Sequence, residues 1–443
     1  MKWKCLLYSG SKTVHWNCIR CVSSTSSNTS SPFSILFFGT DHFALPTLKA
    51  LHKERLNSYN ISSVVSKLHV VSTSNQSPVA QYAVTQGITL LPWPLKDIHD
   101  KFDVGVLVSF GRLVPSRVIS MFPLGILNVH PSLLPRWRGA SPVQHTVLNG
   151  DPETAVSIMS IQPRHFDTGP LVKQKQLCFP FGWSAADLST YLAEEGAALL
   201  LETLLEMPHI LTTSWPQSSV GVTYAHKPLP HMSDVNWKEH TVEEIQRQFL
   251  ALSDKTPLRT CMEGETVKLM DMLLQQTSSP SLDLCSESHM TSVDLRKDNS
   301  TKVIKGSSTV SLRANCSSVH QFVDYLSPAP PGEHDTTAAS IASVHVRSNM
   351  NSKSVDGEQD VSSESDTPGT VIFNRKLRAI CVKCKNGWVA FRKVVYKKTM
   401  AAEDFYNGYL SRGKRKCVRF QSLHNGLFSH EYWNFVQQPK AKT

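Results

Sequence analysis

No stretch of this sequence approaches the roughly eighteen consecutive apolar residues of a membrane span, which sets aside a helical integral membrane protein. No Gly-x-Gly-x-x-Gly run follows its first strand-like segment, so a dinucleotide cofactor is not indicated. The ten cysteines are scattered, and the close pairs Cys18 with Cys21 and Cys381 with Cys384 lack a partner pair at zinc-site spacing. That usage fits a reducing compartment. Acid is missing altogether from Met1 to Phe33, which instead carries Lys2, Lys4, Lys12, Arg20 and a Ser/Thr/Asn tract from Ser23 to Ser31. The composition is that of a mitochondrial transit peptide, and Cys5 to Tyr8 is too short an apolar centre for a secretory signal.

What remains is long enough for two or three domains. Ser34-Ile-Leu-Phe-Phe-Gly39 is a continuous apolar run closed by Gly, the pattern of a parallel strand buried on both faces. Asp41 is placed to cap the next helix, with Leu45, Leu48 and Leu51 as its inner stripe. His69 to Ser72, Ile88 to Leu90 and Val104 to Phe110 read as further strands, alternating with helical stretches such as Pro78 to Gln86. This alternation predicts an α/β domain with a Rossmann-type, mostly parallel sheet over residues 34–207, its site at the carboxyl ends of the strands. Ser184 with Asp187 opens its last helix, running through Leu188, Leu192, Leu199 and Leu205. Residues 208–222 read as a linker. Residues 223–274 and 368–420 read as a small OB-like β-barrel domain, entered through a helix capped by Thr241 and Glu244. Between these two pieces, residues 275–367 are rich in Ser and Thr without sustained periodicity and read as a disordered insertion.

The net charge of +10 gathers in the second domain, where Lys393, Lys397 and Lys398 stand among many cations and few acids, with Trp388, Phe391 and Tyr396 interleaved. Such a barrel suits an RNA partner. The chemistry sits elsewhere. Ile126, Leu127 and Val129 form a short buried strand stopped by Pro131 and Pro135, and Asn128 and His130 leave the same face of it. An amide donor beside an imidazole suits a reaction in which a carbonyl oxygen gathers negative charge and a proton is moved.

The run Asn128-Val-His-Pro-Ser-Leu-Leu-Pro135, followed by Asp167-Thr-Gly169, closely resembles the active-site signature of the folate-dependent formyltransferases. Phe38-Gly-Thr-Asp41, Arg136-Trp-Arg-Gly-Ala140 and Trp237 extend the resemblance, which covers Ser34 to about Leu274 and Gly369 to about Leu410. It implies transfer of a formyl group from 10-formyltetrahydrofolate to the amino group of methionine carried on initiator tRNA, without a metal. It implies catalytic roles for Asn128, His130 and Asp167, and folate contact by Ser132, Leu133, Leu134 and Pro135. Arg136 and Arg138, within the matching run, and Lys393, Lys397 and Lys398 of the basic barrel are expected to contact the tRNA, and no obligate protein partner is expected. Where bacterial relatives carry a basic loop for the acceptor end, Ser72 to Pro78 holds no Lys or Arg, and Arg164-His165-Phe166 offers charge instead. Two alternatives stay open: the same fold formylating a small amine or hydrolysing formyl-folate, and a non-catalytic RNA-binding protein on this scaffold.

Overall fold

The computed structural model describes residues 32–57, 63–95, 100–275, 367–411 and 418–423. The expected transit peptide and insertion, apart from their boundary residues, and the basic run from Arg412 to Lys416 lie outside them.

In chain order the first domain contains β1 (Phe33–Gly39), α1 (Leu45–Leu56), β2 (Val65–Val71), α2 (Pro78–Thr85), β3 (Thr89–Leu91), β4 (Val104–Val108), α3 (Ser116–Ile119), β5 (Ile126–His130), α4 (Pro142–Asn149), β6 (Glu153–Ser160), β7 (Leu171–Cys178) and α5 (Ala185–Leu205). The strands form one sheet in the order β3-β2-β1-β4-β5-β6-β7. The first five are parallel, whereas β6 runs antiparallel to β5 and to β7. The Rossmann-type expectation therefore holds, with an antiparallel hairpin added at one edge.

Strand β1 is central because its side chains serve both faces. Ile35 and Phe37 enter the core beneath α1 and α5, with Leu48, Leu51, Leu188 and Leu192, while Leu36 and Phe38 enter a second core with Phe110 and Phe122. An uninterrupted apolar run is what a two-sided strand requires. Helix α5 begins in the expected reciprocal cap between Ser184 and Asp187. Asp41 accepts from Phe43 N–H and caps a 3-10 turn at His42–Ala44 that leads into α1.

Three readings of this domain change. Leu205, expected inside, is exposed, because the buried face of α5 passes through its neighbours Thr203 and Leu204. Strand β7 had no apolar alternation to announce it, because Lys173 to Gln176 face outward or half outward on an edge strand. The segment 208–222, read as a linker, is folded onto the sheet: Ile210 is buried and Trp215 exchanges two backbone hydrogen bonds with Leu171.

The second domain contains α6 (Val242–Leu252), β8 (Leu258–Met262), β9 (Glu265–Leu273), β10 (Thr370–Asn374), β11 (Ala379–Lys383), β12 (Trp388–Tyr396), β13 (Lys398–Ala401), α7 (Ala402–Phe405) and β14 (Val418–Arg419). Its antiparallel strands follow the order β14-β10-β11-β12-β9-β8, with β13 on β12. Just past β14, Gln421 exchanges backbone hydrogen bonds of 2.9 and 2.7 Å with Cys261 of β8, so the sheet curls until its two edges meet. Thr241 and Glu244 cap α6 as expected, and α6 packs against α4 of the first domain. Phe391 and Tyr396 correct the aromatic reading: both are buried in the barrel core, with Phe405 and Trp237, while Lys393, Lys397 and Lys398 point outward. The burial of β12 does not alternate strictly, since Val389, Ala390 and Phe391 are all buried and Arg392 and Lys393 both exposed, and Lys397 Nζ lies 5.6 Å from the centre of the Tyr396 ring.

Candidate active site

Asn128 and His130 close β5, at the same carboxyl edge where β1 ends in Gly39 and β4 in Val108. Both side chains are buried, at 7% and 4% exposure. Asp167 arrives from the turn between β6 and β7, and its carboxylate is the hub of the cluster. Asn128 Nδ2 donates to Asp167 Oδ1 at 3.4 Å, His130 Nδ1 lies 3.7 Å from that same oxygen, and Gly139 N–H donates to Asp167 Oδ2 at 2.8 Å. The three residues expected to act together are thus brought together.

The hydrogen-bond partners fix the histidine's tautomer. His130 Nε2 lies 3.0 Å from the carbonyl oxygen of Trp137, which can only accept, so Nε2 carries a proton. In the neutral ring Nδ1 is then a lone pair facing the carboxylate, ready to take up a proton and hold it against Asp167.

Two glycines let the backbone approach closely enough. At Gly169 a Cβ would stand 1.7 Å from the carbonyl oxygen of Ser160, and at Gly139, with φ of 125°, it would stand 2.7 Å from that of Ala225. Asp167 itself holds φ of 52°, a left-handed conformation that costs on the order of 1 kcal/mol or more and must be imposed by its surroundings. Gln217 imposes it: its Nε2 donates to the carbonyl oxygens of Asp167 at 3.0 Å and Gly169 at 2.8 Å.

The loop from Pro131 to Gly139 is held just as tightly. Ser132, fully buried, donates through Oγ to the carbonyl of Arg136 at 2.7 Å, and Ser157 Oγ donates to the carbonyl of Ser132 at 2.7 Å. Leu134 is buried against Met159 and Leu171, while Leu133 and Pro135 are half-buried. Arg136 makes a two-pronged ion pair with Asp151 (2.8 and 2.6 Å) and lies 4.3 Å over the Trp137 ring, whose Nε1 donates to the same carboxylate at 2.6 Å. Arg138 donates to Gln217 Oε1 at 2.9 and 2.6 Å. Both guanidiniums, expected to meet tRNA, are therefore engaged in building the loop. Behind them His145 packs on Trp137, with Nε2 donating to the carbonyl of His226 at 2.9 Å, and burial lowers its pKa to about 4.

Asp151 and Gln217 are the residues that sequence reasoning missed. Asp151 follows Asn149-Gly150, which reads as an ordinary turn; Gln217 lies in an aperiodic segment with no signal at all.

Residues 33–204 match the family described as Formyl transferase, and residues 302–410 match Formyl transferase, C-terminal domain. The mitochondrial methionyl-tRNA formyltransferase of Rattus norvegicus is 35% identical over 384 residues, covering 86% of this chain and 79% of the relative. That of Homo sapiens is 34% identical, over 88% of this chain and 83% of the relative. A bacterial methionyl-tRNA formyltransferase, from Coxiella burnetii, is 35% identical over 53% of this chain and 77% of its own. Similarity of this extent, spanning both the catalytic sheet and the basic barrel, places the chain in the methionyl-tRNA formyltransferase family.

Proposed function

We propose that this chain transfers the formyl group of 10-formyltetrahydrofolate to the amino group of initiator methionyl-tRNA in the mitochondrial matrix, yielding N-formylmethionyl-tRNA for translation initiation. The observation that carries this reading is the convergence of Asn128 and His130 on one oxygen of Asp167, at 3.4 and 3.7 Å, in a chain of this family.

The attacking amine must be neutral. Free α-amino groups titrate near about 7.7 to 8.0, so a slightly alkaline compartment supplies much of it without a strong base. As the amine adds to the formyl carbon, charge gathers on the formyl oxygen, and Asn128 Nδ2 is the amide placed to receive it. Losing one such donor typically costs about 2.7 to 4 kcal/mol in the barrier. The proton shed by the amine passes to the Asp167–His130 pair, whose Oδ1 and Nδ1 face each other at 3.7 Å. The resulting imidazolium is held between the Asp167 carboxylate and the Trp137 carbonyl. From there the proton returns to the departing folate nitrogen. Ser132 to Pro135 fit the donor's side of the site: their backbone is pinned by Ser132 and Ser157, and Leu133 and Pro135 stay partly accessible. Lys393, Lys397 and Lys398 are outward-facing cations suited to tRNA phosphates.

Formyl-labelled donor, given to the protein with and without initiator methionyl-tRNA, tests the reading. Label on the methionine amine only when charged tRNA is present supports it. Label released as formate regardless of tRNA makes the protein a hydrolase, and label left on folate leaves a small amine acceptor or a non-catalytic RNA binder.

A further inference from the structure

Three strands of the first sheet place one polar residue each in a single row. His130 of β5 lies directly opposite Ser157 of β6, and Ser157 lies directly opposite Gln174 of β7. Residues opposed in this way share a face of the sheet, so the row starts at the histidine of the catalytic cluster and ends on the edge strand. Ser157 is the exception in its own strand: it is fully buried among Ala155, Val156, Ile158 and Met159, all of them buried and apolar. A hydroxyl in such surroundings needs partners to offset its lost hydration.

The partners form a directed chain. Ser157 gives its one hydroxyl proton to the carbonyl of Ser132 at 2.7 Å, so towards any other group its oxygen can only accept. Gln174 supplies the donor: Nε2 donates to Ser157 Oγ at 2.8 Å and, with its second hydrogen, to the carbonyl of Leu134 at 3.2 Å. The two carbonyls held in this way flank Leu133. One amide on the edge strand therefore fixes, directly and through a single hydroxyl, the backbone on both sides of a half-buried side chain that faces the site. No proton of the reaction passes through it.

We propose that Gln174 is a positioning residue for the formyl donor: it directs the Ser157 hydroxyl and sets Ser132 to Pro135 over the sheet, shaping the surface on which the folate rests beside His130. The assignment rests on the reading of Ser132 to Pro135 as the donor's side of the site. What position 174 contributes is the pair of donated hydrogens rather than the volume. An apolar side chain there leaves the Leu134 carbonyl without its donor, and an acceptor is worse, because it opposes that carbonyl and competes for the Ser157 proton.

The test uses the full chain, with tetrahydrofolate as the binding probe and with formylation kinetics and tRNA affinity measured on the same preparations. Gln174→Leu removes both donations and keeps most of the volume. It should weaken tetrahydrofolate binding and raise the donor's KM about tenfold, the equivalent of about 1.4 kcal/mol, with a smaller fall in kcat and unchanged tRNA affinity. Gln174→Glu keeps the shape but presents acceptors, so it should bind tetrahydrofolate no better than Gln174→Leu. Gln174→Lys, which keeps an N–H donor on a long chain, should recover part of the loss. A role in packing alone gives another order, with Gln174→Glu nearest to wild type, and that order overturns the proposal. So does a Gln174→Leu protein that binds tetrahydrofolate within about twofold of wild type, or one whose loss is confined to kcat. Should Gln174→Leu fail to fold, the order of Gln174→Lys and Gln174→Glu decides alone. A wild type that does not bind tetrahydrofolate fails the donor reading instead.

Discussion

Replacing Asp151 with Asn should loosen the active-site loop without touching any reacting group. Four N–H groups point at this carboxylate: Arg136 Nε and Nη2, Trp137 Nε1 and Asn149 Nδ2, at 2.8, 2.6, 2.6 and 2.6 Å. Asparagine offers one acceptor oxygen in their place and turns an NH₂ toward the remaining donors. Breaking a buried ion pair from one side costs about 3 to 5 kcal/mol. Arg136 is 33% exposed and can recover some hydration, which brings the expected loss to about 2 to 3 kcal/mol. For a domain of this size that is roughly 5 to 10 °C in Tm. Because the Trp137 carbonyl anchors His130 Nε2, displacement of the loop should also lower kcat by about tenfold or more. Thermal unfolding followed by Trp fluorescence, with steady-state formylation on the same preparation, measures both. A variant melting within about 1 °C of wild type and turning over normally would refute the view that Asp151 holds this loop.

His145 makes stability depend on pH. Its folded pKa of about 4 lies below the ordinary 6.5, so the unfolded chain binds more protons between these values; about 3 kcal/mol, fully present above pH 6.5, is lost as pH falls toward 4. His145→Gln should flatten that window in urea unfolding, and an unchanged slope would contradict the assignment. Gly169→Ala pushes a methyl against the carbonyl of Ser160, so it should cost about 1 to 3 kcal/mol in unfolding free energy and displace Asp167, with formylation falling alongside; an active variant of normal stability would count against it. Reversing Lys393, Lys397 and Lys398 together to Glu should weaken tRNA binding and reduce the slope of log affinity against log salt by about 2 to 3. Titrations at several salt concentrations decide it, and an unaltered slope removes these residues from the RNA surface.

The sequence exposed the parts of this molecule that repeat locally. The two-faced strand β1, the caps of α5 and α6, and the shared face of Asn128 and His130 follow from periods of 2 and 3.6 and from cap chemistry. The third partner, Asp167, lies 37 residues beyond His130, and no local pattern links them; the family resemblance supplied it. Gln217 acts on the backbone carbonyls of Asp167 and Gly169, and Asp151 on the side chains of Arg136 and Trp137, contacts between separate stretches of chain that no local pattern announces. Phe391 and Tyr396 were misplaced because the curled sheet claims both for the barrel core, a demand set by distant partners such as Phe405 and Trp237 and not by the neighbouring cations in the sequence.

The central step of the reaction is the donation by Asn128 to the formyl oxygen. Single-turnover formylation of methionyl-tRNA by Asn128→Ala, with tRNA affinity measured on the same preparation, tests this most directly. A rate lower by about 10² to 10³ with unchanged tRNA affinity is the expected result. A rate within about threefold of wild type, where loss of an oxyanion donor should cost far more, would contradict it.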